Sequence, residues 1–199
     1  MKFKTNKQII LATESPRRIE LFGTLGLPFD VQASGITEQL EEEYRPDDLA
    51  IQLAYMKAEP IANLNPDAIV IAADTIVVVG NTTLGKPKTK QQAKMFLNLL
   101  SGKTHQVMTG VSVQHGDDYI GFVSSTEVKF YELLEEQIEA YVESEDPYDK
   151  AGGYGIQTLG GLFVQKINGD YNNVVGLPLS MLCRTLLLKK LISIDKGEV

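Results

Sequence analysis

Two places in this sequence could do chemistry on a small anion. The first is Ser15-Pro16-Arg17-Arg18. Serine is a good helix N-cap, and proline suits the first helical position, where no backbone donor is needed. Arg17 and Arg18 would then sit in the first turn, at the positive end of the helix dipole, which costs roughly 0.3–1 kcal/mol per exposed cation. An anion held by the free N–H groups and both guanidiniums reverses that sign. The turn therefore reads as an anion site in preference to two solvated surface arginines.

Asp74 is the second place. Residues Ala68 to Val79 are nearly all apolar or β-branched, as in a central strand, and Asp74-Thr75 is the only break. A carboxylate there is costly unless it is paired, hydrogen-bonded or bound to metal; the plain alternative is a side chain capping a neighbouring turn. A metal is its natural companion, because carboxylate and phosphate oxygens together suit magnesium or manganese. Glu38 is a second candidate ligand, although it belongs to an acidic run with Glu41, Glu42 and Glu43 that a solvated loop explains equally well.

Further cations and one loop complete the set. Lys86 stands between Gly85 and Pro87, in a turn stiff enough to fix its direction. Lys57 falls on the apolar stripe Ala50, Leu53, Ala54, Lys57, where a lysine can simply snorkel to water. In Asp149-Lys150-Ala151-Gly152-Gly153-Tyr154-Gly155-Ile156-Gln157, the glycines let backbone approach a ligand closely, and Gln157 offers a donor and an acceptor to a base edge. The plain alternative is an ordinary flexible loop. Ser101-Gly102-Lys103-Thr104 imitates the end of a phosphate-binding P-loop, but Leu97 stands where the first glycine belongs and the tract follows a helix instead of opening one. His105 and His115 have no partner at metal-ligand spacing and read as structural or exposed.

The elements that must position these groups follow from periodicity and punctuation. Ile9-Ile10-Leu11-Ala12 is a short buried strand, followed by a helix with Ile19, Phe22 and Leu25 on one face and Gly26 closing it. A helix starts near Pro46, with Asp47 and Asp48 favouring its dipole. After the Ala68–Val79 strand, Gly80-Asn81 and Gly85-Lys86-Pro87 are turns. Thr89 and Gln92 form a capping box for a helix with the stripe Ala93, Phe96, Leu97, Leu100. Strands over 106–113 and 119–130 join at His115-Gly116-Asp117-Asp118. Residues 133–143 form a helix with Leu134, Ile138, Tyr141 and Val142 inward. Segments 162–167 and 171–175 read as a second hairpin, and 179–192 as a closing helix. Strand–helix crossovers mixed with hairpins imply an α/β fold with a mixed sheet.

Composition bounds the partners. A chain of 199 residues with 43% hydrophobic content makes one domain, or two lobes sharing a core. The net charge of −7 argues against a general nucleic-acid binder, but a small anion needs only a few cations in one pocket. The single cysteine, Cys183, excludes an internal disulfide and sits among apolar neighbours as a core thiol. No apolar run reaches spanning length, and the N-terminal segment lacks a signal-peptide core, so a soluble cytoplasmic protein with no membrane partner is expected.

Several spaced segments, in order, closely resemble the Maf family: Ala12-Thr13-Glu14-Ser15-Pro16-Arg17-Arg18-Ile19-Glu20-Leu21, Ala73-Asp74-Thr75-Ile76-Val77, Leu84-Gly85-Lys86-Pro87, Leu100-Ser101-Gly102-Lys103-Thr104-His105, the Asp149–Gln157 motif, and Val174-Val175-Gly176-Leu177-Pro178. The resemblance runs from about residue 8 to residue 190 and treats residues 1–199 as a single Maf-like domain. It implies a mixed twisted sheet flanked by helices, like that of inosine triphosphate pyrophosphatases, with two lobes around a cleft. It also implies a house-cleaning nucleotide pyrophosphatase that needs a divalent cation, Mg2+ or Mn2+. By the same resemblance Asp74 matches the proton acceptor, and Arg17, Thr75 and Gln157 match positions tied to substrate choice. The motif ending in Gln157 looks like the branch acting on dTTP and UTP rather than the one preferring 7-methyl-GTP. Thr13 and Glu14 stand where small residues are usual, and Gly153 where alanine is common. A homodimer and a link to septum formation are implied as well, which leaves a nucleotide-binding regulator without turnover as the alternative. Ser15, Arg17, Arg18, Lys57 and Lys86 would bind the triphosphate, and Asp74 with Glu38 the metal. Whether Asp74 is base or mainly ligand stays open at this level.

Overall fold

A computed structural model of the chain describes residues 1–36 and 44–197. In chain order the elements are β1 (Lys2–Lys4), β2 (Ile9–Ala12), α1 (Pro16–Gly23), β3 (Asp30–Val31), α2 (Pro46–Leu64), β4 (Ile69–Val79), β5 (Thr82–Leu84), α3 (Lys90–Leu100), β6 (Thr104–His115), β7 (Asp118–Phe130), α4 (Glu135–Val142), β8 (Val164–Asn168), α5 (Tyr171–Val175), α6 (Leu179–Leu188) and β9 (Ser193–Asp195). Among the described residues, the main sheet has the order β3-β2-β4-β6-β7-β8, with β5 on β4. Parallel pairs (β2–β3, β2–β4) and antiparallel pairs (β4–β5, β7–β8) make it a mixed sheet. The expected α/β class, with a mixed sheet flanked by helices, is what is found.

The chain divides into two compact units: residues 1–74, 109–124 and 176–199 in one, and 75–108 and 125–175 in the other. In the first unit the two-residue period of a strand sorts the apolar side chains onto two faces. Ile9, Leu11, Ile69, Ile71 and Ala73 point one way and pack with Phe22 of α1 and with Leu182 and Leu186 of α6. Ile10, Ala12, Ala68, Val70 and Ala72 point the other way and pack with Ala58 and Ile61 of α2. Both faces are covered, which is why β2 and β4 read as continuous apolar runs. Small residues let α2 lie close: a Cβ on Gly110 of β6 would fall 2.2 Å from the carbonyl carbon of Ala50. In the second unit, Phe96, Leu97 and Leu100 of α3 and Ile138 and Tyr141 of α4 close over Val77, Val107, Val128 and Phe130.

Several expectations need correction. Residues 171–175 are helix α5 instead of a strand: the Asp170 carboxylate accepts from the Asn172 backbone N–H at 2.8 Å, and Val174 N–H bonds back to Asp170 O. That cap outweighs the β-branched Val174-Val175 pair, and β8 pairs with β7 instead. The last helix stops at Leu188, not Ile192, because Lys190 turns left-handed (φ 57°) and Leu191 N–H bonds to Leu186 O. The freed tail forms β9, which pairs with the unforeseen β1 and carries a Lys4–Asp195 ion pair at 3.2 Å. Leu134 lies just outside α4 and is 64% exposed, so it is not an inward residue. Helix α1 ends at Gly23, three residues before Gly26. The capping box is half present: Thr89 Oγ1 accepts from Gln92 N–H, but the Gln92 amide oxygen reaches Lys88 N–H and not that of Thr89.

Candidate active site

The register of the first unit brings two of its candidates to one end of the paired strands. Parallel pairing sets Ala12 of β2 beside Ala72 of β4. The turn after Ala12 and the Asp74 carboxylate, two residues past Ala72, therefore leave the paired strands at the same end. That carboxyl end of parallel strands is where open α/β sheets bind ligands. The turn is built by Thr13, nearly buried, whose hydroxyl oxygen accepts from Ser15 N–H at 3.1 Å. Ser15 then occupies the N-cap position of α1 without using its side chain as a cap, and Pro16 opens the helix. Arg17 and Arg18 are both half-buried in the first turn. Arg18 Nε donates to Gly176 O at 2.8 Å, so this arginine also ties α1 to the segment before α6.

Asp74 follows the parity of Ala68, Val70 and Ala72 and points to the α2 face. There it meets Lys57, the last position of the Ala50-Leu53-Ala54 stripe, in a direct ion pair to Oδ1. Both side chains are largely out of solvent, 15% and 13% exposed. Lys57 is thus the partner that makes a carboxylate tolerable in this strand. Its ammonium ends on Asp74 instead of in bulk water.

The second unit holds the other candidates. Thr75 is half-buried in β4, while Lys86 and Gln157 are exposed. The Gly85-Lys86-Pro87 turn is tied to the glycine motif, because Gly152 N–H donates to Gly85 O at 3.0 Å. The motif is not a flexible loop: residues 152–155 are buried. Gly152 and Gly153 both adopt positive φ, and a Cβ there would meet Val77 Cγ2 at 2.9 Å and Pro87 Cγ at 3.3 Å. The close approach these two glycines allow is to protein, and the loop is packed in place by it. Tyr154 anchors it further through its hydroxyl, 2.7 Å from His105 Nε2, with both rings stacked edge-on against Phe130. Burial pushes His105 down to about 4, so this histidine is neutral and structural at physiological pH. His115 likewise serves the fold, bridging Lys7 and Ala68 O. Cys183 packs, partly buried, against the first unit's core.

Glu38 lies outside the described residues. Among those described, no group of three His, Cys, Asp or Glu residues gathers to hold a metal. The donor chemistry still fits a hard cation: the Asp74 carboxylate is an oxygen donor of the kind Mg2+ or Mn2+ takes together with phosphate oxygens. Sequence reasoning did not foresee the Thr13 turn, the Arg18–Gly176 tether or the Lys57–Asp74 pair. The last was within reach, since strand parity turns Asp74 toward the helix that carries Lys57.

Comparison with known proteins agrees with this architecture. The sequence model of the family described as Maf-like protein matches residues 8–189. A dTTP/UTP pyrophosphatase of Bacillus pumilus is 50% identical over 179 residues, covering 90% of this chain and 95% of that protein. One from Bacillus anthracis is 51% identical over 180 residues, covering 90% and 94%. A HAM1 protein from Coxiella burnetii, of known structure, superposes with a TM-score of 0.56 at 12% identity, covering 92% of this chain and 99% of that one. That likeness concerns the fold alone.

Proposed function

We propose that this chain, which belongs to the Maf family, hydrolyses dTTP and UTP to the monophosphate and pyrophosphate. The observation that carries the reading is the Asp74 carboxylate, held by Lys57 at the carboxyl end of the β2–β4 pair and at the same end as the Ser15-Pro16-Arg17-Arg18 turn. The named activity of relatives half identical to this chain over nine-tenths of its length supports the substrate assignment.

In the proposed reaction the triphosphate lies against the N-terminus of α1, where backbone N–H groups, Ser15, Arg17 and Arg18 take up its charge. Lys57 and Lys86 add charge as it accumulates in the transition state. Asp74 accepts the proton of a water that attacks the α-phosphorus. The bond from that phosphorus to the α–β bridging oxygen breaks, and the electron pair leaves with pyrophosphate. An aspartate carboxylate is ordinarily a weak base for water. A divalent cation, Mg2+ or Mn2+, bound through Asp74 and Glu38 would acidify the water and shield the phosphates. Thr75 and Gln157 select the nucleotide, Gln157 by presenting its amide to the pyrimidine edge. The same reading takes residues 1–199 as one Maf-like domain, active in the cytoplasm as a homodimer on free nucleotides. No helix among the described residues is long and apolar enough to cross a membrane.

A nucleotide panel with magnesium or manganese, followed by ion chromatography, tests the proposal. Pyrophosphate with dTMP or UMP is the expected result. Release of single phosphate would overturn it, and nucleotide binding without any turnover would point to a non-catalytic regulator. Asp74→Asn should abolish turnover while leaving the fold intact.

A further inference from the structure

Gln157 is exposed, yet the backbone that presents it is fixed by a carboxylate that the reaction above does not use. Asp146, only 16% exposed at its side chain, accepts from three donors. These are the Tyr141 hydroxyl, the Thr158 hydroxyl at 2.6 Å and the Lys150 ammonium at 3.1 Å. Lys150, itself nearly buried, also donates to Asp146 O at 2.7 Å and to Asp149 Oδ1 at 2.6 Å. Burial pushes the Asp146 carboxyl up, but the bonds from Thr158, Tyr141 and Lys150 together hold it below the usual carboxylate range.

The following glycines are shaped to this cluster. A Cβ on Gly155 would stand 2.6 Å from both Lys150 Cε and Thr158 Oγ1, and one on Gly160 would stand 2.7 Å from the Tyr141 hydroxyl. One on Gly161 would meet Ile156 O at 2.4 Å. The backbone on both sides of Gln157 is therefore closed onto the Asp146 cluster. Thr158, the next residue in the chain, is the link. An exposed hydroxyl bonded to a carboxylate contributes little to global stability, but it fixes the direction of the neighbouring side chain, and a binding group held in place loses less freedom when ligand arrives.

We propose that Asp146, acting through Thr158, is a positioning residue for base recognition, setting the affinity and choice of pyrimidine base presented to Gln157. The inference rests on the pyrophosphatase reading above. The test is steady-state kinetics on dTTP and dCTP for wild type, Gln157→Ala, Thr158→Val, which keeps shape and removes the donor, and Thr158→Ser, which restores it. Thr158→Val should raise the dTTP KM by up to about tenfold, the cost of ordering a loosened binding side chain again when nucleotide arrives. It should also shrink the dTTP/dCTP preference as Gln157→Ala does, with kcat and melting temperature near wild type; Thr158→Ser should behave as wild type. If wild type turns over dTTP and Gln157→Ala loses preference, but Thr158→Val keeps both KM and preference, this inference fails alone. A fall in kcat at unchanged KM would also overturn it. If wild type does not release pyrophosphate from dTTP, the functional reading falls and takes this inference with it.

Discussion

Replacing Gly110 by alanine should damage the protein out of proportion to one added methyl. A Cβ there would lie 2.2 Å from the carbonyl carbon and oxygen of Ala50 and 2.5 Å from Ile51 N. Carbon contacts are comfortable near about 3.5 Å, so helix α2 must retreat by about 1 Å. The obstacle is backbone, not the tip of a flexible side chain, so the cost belongs at the upper end of the overpacking range, about 3 kcal/mol. For a chain of this size that corresponds to a fall of roughly 6–12 °C in melting temperature. Activity should fall further than stability, because α2 also carries Lys57, seven residues past Ala50, and its retreat draws the ammonium off Asp74. The control is Gly23→Ala, at the end of α1, where a Cβ has only Phe29 Cε1 at 4.0 Å for company. Helix propensity alone should leave that variant as stable as wild type, or up to about 1 kcal/mol more so. Urea unfolding of both, with dTTP turnover measured below the transition, decides the matter. A Gly110→Ala protein as stable as wild type would refute the reasoning about how α2 is seated.

Two further predictions concern charge. Lys57→Met strands the Asp74 carboxylate in a site where the pair is about one-seventh exposed, and should cost about 3 kcal/mol in urea unfolding; Lys57→Met combined with Asp74→Leu should recover most of that stability but no activity. His105, ordinarily near 6.5, is held down to about 4 by burial, so its contribution to stability is complete above pH 6.5 and is lost as pH falls from there toward 4. The loss approaches about 3 kcal/mol, and His105→Leu should flatten that segment of a stability–pH profile; an unchanged slope would show that other groups carry it.

How much of this was legible in the sequence depended on whether the signal was local. The apolar runs of β2 and β4 and the stripe of α2 declared themselves, and Asp74 stood out because a carboxylate does not belong in such a run. Its partner did not stand out, since a lysine on a stripe reads as a snorkelling side chain until strand parity shows which helix Asp74 faces. Tyr171–Val175 misled because two valines after Asn168-Gly169-Asp170 resemble a hairpin. The deciding contacts are the Asp170 cap and the Asn173 side chain, which donates to Val107 O at 2.9 Å from a distant strand. β1 and β9 are short and polar, and only their pairing makes them strands. Gly152 and Gly153 were recognisable as sites of close approach, but not as approaches to Val77 and Pro87.

The central claim is that water attacks the α-phosphorus and pyrophosphate is the leaving group. Hydrolysis of dTTP in water carrying a heavy oxygen isotope, with mass analysis of both products, tests it most directly. The account predicts one heavy oxygen in dTMP and none in pyrophosphate. Label in the pyrophosphate would place the attack on the β-phosphorus and contradict the account.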